Sequence, residues 1–304
     1  MIFPKPLFKG ARVALVAPAY AVTEESFTPA INLVKSLGLE PIVYPSCLLE
    51  NRHGYFSAND NIRAKDIQDA FEDDTIDGIW CIRGGYGTHR ILPLLDFDKI
   101  KPKYFAGYSD VTALHTALNQ ICNFATFHTT MPSTEYKDLD DYTLDYLKTA
   151  LFSGEFSNLK NPENIEMKTL YGGKSEGMLC GGNLALVASS LGTPYEIDTK
   201  GKILFLEDIG EYTYRIDGQL TQLRNAGKLD DCAGILLGAY TDCEPHDPEQ
   251  NLELEEIFTE LVAPIKKPTI YNVQCGHILP TMTLPLGYSV TMDADLKEIK
   301  VVKG

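Results

Sequence analysis

In the first half of the chain, short apolar runs alternate with segments in which apolar residues recur every three or four positions. A continuous apolar run is typical of a strand that is buried on both faces of a sheet, and four such runs cover residues 13–17, 41–44, 78–82 and 104–107. Helical periodicity follows three of these runs, over residues 23–37, 62–71 and 110–121. The alternation predicts a doubly wound parallel sheet with helices on both faces.

The second half is less regular. Residues 136–173 are acidic and aromatic and contain helix-breaking Asn, Pro and Gly, so we interpret them as a connecting segment with one helix near residues 142–152. An insertion within one domain is the alternative. Beyond this segment, a helix is indicated by Ile216, Leu220 and Leu223 at i, i+4, i+7 spacing. Further strands are predicted at residues 203–206, 234–239, 269–273, 288–292 and 298–302.

These patterns divide the chain into three parts. We predict an α/β domain over residues 1–135, the connecting segment over 136–173, and a second domain over 174–304.

The composition is that of an ordinary globular protein, but the charge is strongly negative. The 304 residues include 42 Asp and Glu against 27 Lys and Arg, which gives a net charge of −15. Such a chain repels phosphate backbones and anionic headgroups, so we expect neither nucleic acid nor a membrane surface as a partner. The seven cysteines form no CxxC pair, and we find no signal-peptide pattern, which favours a reducing, cytoplasmic setting without a zinc site.

The sharpest candidate for chemistry is Ser109. The apolar run 104–107 ends in glycine, and Ser109 then precedes a segment with helical periodicity, which is the pattern of a nucleophile elbow. At a helix N-terminus, the N–H of the following residue, Asp110, would face a developing oxyanion. Val111 stands where the common elbow has its second glycine. The alternative is that Ser109 or Asp110 merely caps the helix.

A glycine-rich turn, residues 83–87, follows the third apolar run. It matches no phosphate-binding loop, so the functional interpretation is a second oxyanion donor, Gly85, and the alternative is a tight turn.

Two further candidates follow apolar runs in the second half. Glu207 ends the run 203–206, and His277 follows residues 272–276 in a Pro-containing loop. The order Ser109, Glu207, His277 is the Ser…acid…His order of a hydrolytic triad. The alternatives are a solvated strand end or helix cap for Glu207 and an ordinary surface position for His277, with His128 as the main competitor for the base.

Metal chemistry is the rival interpretation. Asp242, Glu244, His246 and Asp247 form a polar cluster that could ligate a cation, but neither HExxH nor EF-hand spacing supports it, and we interpret the cluster as a solvated loop.

Taken together, four motifs resemble the LD-carboxypeptidase family of serine peptidases, which includes the muramoyl-tetrapeptide carboxypeptidases and the microcin C self-immunity peptidases. The motifs are residues 83–87, 107–110, 206–208 and 275–277, and the similarity extends from residue 13 to the final strands.

The resemblance implies a flavodoxin-like parallel-sheet N-terminal domain and a smaller mixed β/α C-terminal domain, with the site between them. It implies Ser109 as nucleophile, His277 as general base and Glu207 as the group that orients the base. The N–H groups of Gly85 and Asp110 would be the oxyanion donors, and no second elbow glycine is needed. It also implies a cytoplasmic homodimer without a metal or other cofactor.

The typical reaction of this family removes a terminal D-alanine from a cell-wall tetrapeptide, at a bond between an L-centre and a D-residue, during murein recycling. The expected partner is therefore a small peptide or muropeptide. Its free carboxylate needs a counter-charge, for which Arg83 is our candidate, with Tyr86 as a second substrate contact. The alternative for Arg83 is a structural ion pair.

Two other functions remain open. A microcin-immunity-type peptidase would cleave an acylated aminoacyl nucleotide and would need an aromatic platform for the base. The one tryptophan, Trp80, lies in a predicted buried strand, although the 16 tyrosines could serve. A non-catalytic peptide-binding protein is the alternative of another class, and the presence of all three candidate triad residues argues against it.

Overall fold

The computed structural model describes residues 1–134, 139–245, 247 and 250–302. The chain forms two compact units. Unit 1 comprises Met1–Glu155 together with Thr283–Pro285, and unit 2 comprises Phe156–Met282 together with Leu286–Gly304. Residues 136–173, which we expect to connect two domains, are thus shared between the units, and the functional domain boundaries stay a prediction.

Unit 1 is built on a six-stranded sheet. Its strands are β1 (Arg12–Val16), β2 (Glu40–Val43), β3 (Gly78–Cys81), β4 (Tyr104–Gly107), β5 (Thr126–His128) and, from the far end of the chain, β12 (Leu284–Leu286). The order across the sheet is β12-β5-β4-β3-β1-β2, and β1 to β5 pair in parallel. The order 2-1-3-4-5 is that of flavodoxin-like sheets, which bind ligands at the carboxyl ends of their strands.

The helices of unit 1 begin where the sequence supplies a cap. They are α1 (Glu24–Ser36), α2 (Asp60–Glu72), α3 (Thr88–Ile91), α4 (Thr112–Gln120) and α5 (Asp141–Phe152). Thr23, Asn59 and Asp140 each accept a hydrogen bond from the first turn of α1, α2 and α5. The ring of Phe71 on α2 stacks 5.8 Å from that of Phe105 on β4, so burial of aromatic surface fixes this helix against the sheet.

Unit 2 is built on an eight-stranded mixed sheet. Its strands are β6 (Asn158–Leu159), β7 (Lys168–Tyr171), β8 (Lys174–Asn183), β9 (Ile203–Ile209), β10 (Gly234–Thr241), β11 (Thr269–Tyr271), β13 (Ser289–Asp293) and β14 (Glu298–Val302). The order is β6-β14-β13-β8-β9-β10-β11-β7. The strands β8 to β11 pair in parallel, and the others join in antiparallel pairs.

The helices of unit 2 cover the parallel part of this sheet. They are α6 (Leu184–Ser189), α7 (Thr213–Asn225), α8 (Lys228–Asp231) and α9 (Leu254–Leu261). The predicted helix face of Ile216, Leu220 and Leu223 lies on α7 and is fully buried against apolar residues of β9 and β10, among them Leu206 and Leu237. This core holds β9 in place, and β9 carries Glu207.

The predicted fold class is confirmed: the chain is α/β, with a parallel sheet in the N-terminal half and a mixed sheet in the C-terminal half. The sequence did not predict β6, β7 or the ten-residue β8. The strand predicted at 269–273 ends at Tyr271, because Asn272 adopts a φ of +57°. None of the helices in the described part of the chain has the length and apolar character needed to cross a bilayer.

Candidate active site

Ser109 lies in a strained turn at the carboxyl end of β4. The strand ends at Gly107, a single turn of 3₁₀ helix spans Ser109–Val111, and α4 follows. Ser109 has a φ of +64°, which is unusual for a residue with a Cβ and costs of order 1–3 kcal/mol. A sharp, strained strand-to-helix turn is the feature that lifts the serine of a nucleophile elbow above its sheet.

The glycine-rich turn after β3 packs directly on this serine. A Cβ at Gly84 would lie 2.9 Å from Ser109 Cβ and 3.1 Å from Ser109 Oγ, which is closer than side chains pack. Gly84 therefore brings backbone next to the hydroxyl. Gly85, the next residue, is solvent-exposed.

Asp110 ties the elbow to the same turn. Its Oδ2 accepts a hydrogen bond of 2.7 Å from the N–H of Thr88, the first residue of α3. The side chain is 1% exposed, and burial raises the pKa of its carboxyl. Neither Ser109 nor Asp110 caps α4 with its side chain, so the capping alternative is not what the structure has. Within unit 1, the N–H groups of Gly85 and Asp110 donate to no other described residue.

His115 supports the strand end from below. Its Nε2 donates to the carbonyl oxygen of Gly107 at 2.9 Å, because a carbonyl can only accept, and its Nδ1 lies 2.8 Å from Thr126 Oγ1. Full burial lowers the pKa of His115 to about 4, so the ring is neutral near pH 7. The histidine thus acts as a structural support rather than as a base.

In unit 2, Glu207 and His277 form a buried pair. Glu207 lies on β9 and is fully buried, and its Oε2 accepts a hydrogen bond of 2.7 Å from His277 Nδ1. The backbone N–H of His277 donates to the same oxygen at 3.3 Å. Since an ionised carboxylate only accepts, Nδ1 carries the hydrogen and Nε2 of the neutral ring carries the lone pair. An imidazole held in this tautomer can take a proton at Nε2.

Gly276 makes this pairing possible. It has a φ of +119°, and a Cβ there would lie 2.6 Å from Glu207 Oε2. Glycine is therefore required by both the backbone angle and the approach of the carboxylate. Thr241 Oγ1 also donates to the carbonyl oxygen of His277 at 2.6 Å, which anchors the loop to β10.

Asp208, the neighbour of Glu207, supports the pair from behind. It accepts hydrogen bonds from Asn183 Nδ2 at 2.8 Å, from the N–H of Ala185 at 3.0 Å and from its neighbour Ile209 at 2.9 Å. Burial raises the pKa of Asp208 to about 6, and the adjacent Glu207 charge adds to the shift. Asp208 therefore links β8, β9 and α6 at the strand end that carries Glu207.

The alternatives to a catalytic role, a solvated position for Glu207 and an ordinary surface position for His277, do not agree with the structure. Glu207 is not at a solvated strand end, and only 12% of the His277 side chain is exposed. The competing base, His128, is 1% exposed, and its ring lies 5.7 Å from that of Tyr108. This geometry does not test the predicted catalytic roles of Glu207 and His277, which stay predictions.

The remaining sequence candidates lie in unit 1 or outside the described residues. Arg83 donates through Nη1 to the carbonyl oxygen of Ala21 at 2.8 Å and pairs with no described carboxylate, so it is not the structural ion pair of the alternative interpretation. Tyr86 is 48% exposed. His246 of the rival metal cluster is outside the described residues, and in the part of the chain that is described no three His, Cys, Asp or Glu side chains group as metal ligands.

No sequence pattern points to two residues that line the same cleft as Arg83. Tyr20, whose side-chain atoms would overlap a Cβ at Gly85, follows β1, and Arg52 lies in the loop between β2 and α2. Their positions depend on loop conformations that no periodicity encodes.

Comparison with known proteins assigns both halves of the chain to one family. Residues 13–129 match the family described as the LD-carboxypeptidase N-terminal domain, and residues 176–292 match the LD-carboxypeptidase C-terminal domain.

Three relatives illustrate the similarity. The "Probable murein peptide carboxypeptidase" of Bacillus subtilis (strain 168) is 38% identical over 305 residues, which cover 99% of this chain and 94% of that protein. The crystal structure of muramoyltetrapeptide carboxypeptidase from Oxalobacter formigenes is 29% identical, with a TM-score of 0.82 over 96% of this chain and 98% of that one. The "Microcin C7 self-immunity protein MccF" of Escherichia coli is 26% identical over 318 residues, which cover 94% of this chain and 91% of that protein.

The doubly wound sheet, the mixed sheet and these matches define a hydrolase of the peptidase class. The chain belongs to the LD-carboxypeptidase family of serine peptidases. The resemblance that the four sequence motifs indicate is thereby confirmed.

Proposed function

We propose that this enzyme hydrolyses the bond between an L-centre and the terminal D-alanine of a murein tetrapeptide, with Ser109, His277 and Glu207 as its catalytic triad. The names of the Bacillus subtilis and Oxalobacter formigenes relatives support the substrate class. The observation that carries the mechanism is the positive φ of Ser109, because this backbone strain is typical of an exposed nucleophile.

In the acylation step, Ser109 Oγ bonds to the carbonyl carbon while Nε2 of His277 takes the hydroxyl proton. The C–N bond then breaks, and the imidazolium gives its proton to the nitrogen of the leaving D-alanine. In deacylation, water attacks the ester carbon, His277 takes a proton from the water, and the proton passes to Ser109 Oγ as the ester bond breaks. Glu207 keeps the ring in one tautomer and stabilises its positive form.

The developing negative charge on the carbonyl oxygen needs donors. We assign this role to the N–H groups of Gly85, which follows the glycine that packs on Ser109, and of Asp110, which follows Ser109 in the same turn. Each such donor is worth ~10²–10³ in rate, and rigid backbone donors need no reorganisation during the reaction.

The setting of the reaction belongs to the same proposal. We place it in the cytoplasm, in the recycling of cell-wall peptides, with the enzyme as a homodimer and without a cofactor. Sedimentation of the purified protein at micromolar concentration tests the dimer, and a single species at 33.7 kDa would contradict it.

The central test is hydrolysis of a tetrapeptide that ends in an L-residue followed by D-alanine. Ser109→Ala should lower kcat by at least about 10⁴-fold with an unchanged circular-dichroism spectrum, because the nucleophile is lost and the fold is not. A variant that keeps the wild-type kcat would rule out Ser109.

The carboxylate has a test of its own. Glu207→Gln should lower kcat by ~10²–10⁴-fold, because a neutral amide no longer favours the tautomer with Nδ1–H. D-alanine release, followed by chromatography, measures both variants.

A second candidate function is cleavage of an acylated aminoacyl nucleotide. The relation to the microcin self-immunity protein favours it, as do two exposed rings whose centroids lie 6.2 Å apart at the glycine-rich turn, Tyr55 at 54% and Tyr86 at 48% exposure. Parallel incubation with each substrate class separates the two activities. A fluorophosphonate probe that leaves Ser109 unlabelled would instead favour the non-catalytic peptide-binding protein.

A further inference from the structure

A cleft of about 610 Å³ lies in unit 1 beside the glycine-rich turn. Its lining residues come from the loop after β1, the start of α1, the loop before α2 and the end of β3; they are Tyr20, Ala21, Val22, Thr23, Glu24, Leu49, Arg52, Tyr55 and Arg83. Arg83 directly precedes Gly84, the glycine that packs on Ser109. The lining of the cleft thus includes the residue that precedes Gly84, and Gly84 packs on the candidate nucleophile Ser109.

Two of the lining residues are arginines without an ion-pair partner in the described chain, Arg52 and Arg83. Four other arginines pair with a carboxylate; they are Arg12, Arg63, Arg90 and Arg215. Glu24 also lines the cleft but pairs with neither arginine. The cleft thus holds two cations that the chain does not neutralise.

Both arginines are held by a backbone carbonyl. Arg52 donates through Nε to the carbonyl oxygen of Gly54 at 2.8 Å, and Arg83 donates through Nη1 to that of Ala21, also at 2.8 Å. Each guanidinium keeps further N–H donors for a ligand, and a planar fork of donors suits a carboxylate. Because the tethers fix the side chains in advance, less entropy is lost on binding.

Two tyrosines wall the same cleft. The rings of Tyr20 and Tyr55 meet edge to face with centroids 5.7 Å apart. Tyr20 sits so close to the turn that a Cβ at Gly85 would lie 2.3 Å from its Cγ. The two rings therefore give the cleft an apolar wall beside Arg52 and Arg83.

We propose that Arg52 and Arg83 form an arginine clamp that binds the free carboxylate at the C-terminal end of the substrate, so that the enzyme selects peptides with an unblocked end. The proposal rests on the proposed function, since a carboxypeptidase substrate carries its free carboxylate one residue beyond the bond that breaks. One residue corresponds to a Cα step of about 3.8 Å, which is within the reach of an arginine placed one residue from Gly84.

The experiment measures binding in a Ser109→Ala background, so that no turnover occurs. A tetrapeptide ending in an L-residue and D-alanine is titrated calorimetrically as the free acid and as the C-terminal amide. The acid should bind at least ~10-fold more tightly than the amide. Adding Arg52→Ala or Arg83→Ala should remove this preference by weakening the acid ~10–100-fold while leaving the amide unchanged.

Arg224→Ala is the matched control. Arg224 is exposed in the last turn of α7, in unit 2, and like the clamp residues it pairs with no described carboxylate. Its removal changes the net charge by the same amount and should change neither titration. An equal loss of acid binding in Arg224→Ala would reduce the effect to overall charge and overturn the clamp.

The outcomes separate the clamp from the proposed function. Equal affinities for acid and amide, or unchanged acid binding in both clamp variants, overturn the clamp whatever the wild-type enzyme hydrolyses. If the acid is preferred through both arginines but wild-type protein releases no D-alanine, the clamp stands and the proposed function fails. Adenosine monophosphate is the third titrant: if it binds more tightly than the acid through the same arginines, the site is one for phosphate and the carboxylate assignment is wrong.

Discussion

Ser109 combines an unfavourable backbone angle with partial exposure to solvent. Its φ of +64° is held by contacts on two sides: Gly84 packs on its side chain, and the Asp110 carboxylate fixes the next residue to Thr88. Strain of this kind persists only where the surroundings fix it, and the strained residue here is the candidate nucleophile.

The strain has a measurable consequence for stability. Ser109→Gly should have a free energy of unfolding about 1 kcal/mol higher than Ser109→Ala, because only glycine adopts this φ without a Cβ clash. Neither variant retains a hydroxyl, so the comparison is free of any catalytic effect. Urea unfolding of the pair measures the difference, and equal stabilities would mean that the turn is relaxed in solution.

Gly276 offers a second test at a single position. A methyl group there would displace Glu207 from His277, and because misplaced catalytic groups are costly, Gly276→Ala should lower kcat by ~10²-fold. Gly192→Ala is the control: Gly192 has a φ of +79°, but a Cβ there meets nothing within 4 Å. Both variants should lose about 1 kcal/mol of stability from the backbone angle, and only Gly276→Ala should lose activity. Full activity in Gly276→Ala would argue against the pair.

The junction of β8, β9 and α6 is where the structure predicts a pH dependence. Asp208 has its pKa raised to about 6 by burial, so the folded state binds its proton more tightly than the unfolded state does. Its contribution to stability is therefore fullest below pH 4 and falls as the pH rises through 6, by about 3 kcal/mol.

In Asp208→Asn the side chain at this position cannot titrate, so the variant should lack the decrease in stability that Asp208 causes as the pH rises. Between pH 4 and 7, wild-type protein should lose about 2 kcal/mol of unfolding free energy relative to the variant, as measured by urea unfolding at each pH. Asp230→Asn, which removes an exposed carboxylate on α8, is the control for net charge. Parallel curves for wild type and Asp208→Asn would show that the buried carboxyl does not carry the effect.

The elements that the sequence predicts well are those with one dominant pattern. The four apolar runs of unit 1 and the α7 face could be predicted, because burial on both faces or on one stripe imposes a clear period. The strand β8 could not, since Gly177, Gly181 and Gly182 interrupt it and suggest turns. At Gly181 a Cβ would lie 1.9 Å from the carbonyl oxygen of Phe205, so glycine is needed there for β8 to approach β9 closely.

The candidate site divides in the same way. Ser109, Glu207 and His277 could be proposed from sequence because each follows an apolar run, and parallel sheets present such positions at one edge. Arg52 and Tyr20 could not, because they lie in loops whose path is set by tertiary contacts. The hydrogen bond between His277 and Glu207 also depends on residues 70 positions apart, and no local pattern records it.

The sheet of unit 1 is built from two separate segments of the chain, Met1–Glu155 and the segment that carries β12. β12 pairs at its edge next to β5, and Thr129 and Thr283 share a hydrogen bond of 2.5 Å between their hydroxyls. A fragment of residues 1–155 would leave β5 as an unpaired edge strand. Such edges promote aggregation.

We expect the fragment 1–155 to aggregate during size-exclusion chromatography. A second fragment, in which a flexible Gly-Ser linker joins residues 281–287 to residue 155, should elute as a discrete species and unfold cooperatively, because it restores β12. If 1–155 alone is soluble and equally stable, the added strand contributes little to unit 1.

Protein synthesis proceeds from the N-terminus, so the ribosome makes β12 only after it has made His277. A nascent or prematurely released polypeptide that contains the serine but stops short of the imidazole therefore also lacks the strand that closes the serine's sheet. Incomplete translation products of this length therefore cannot complete the sheet of unit 1, which carries the candidate nucleophile Ser109.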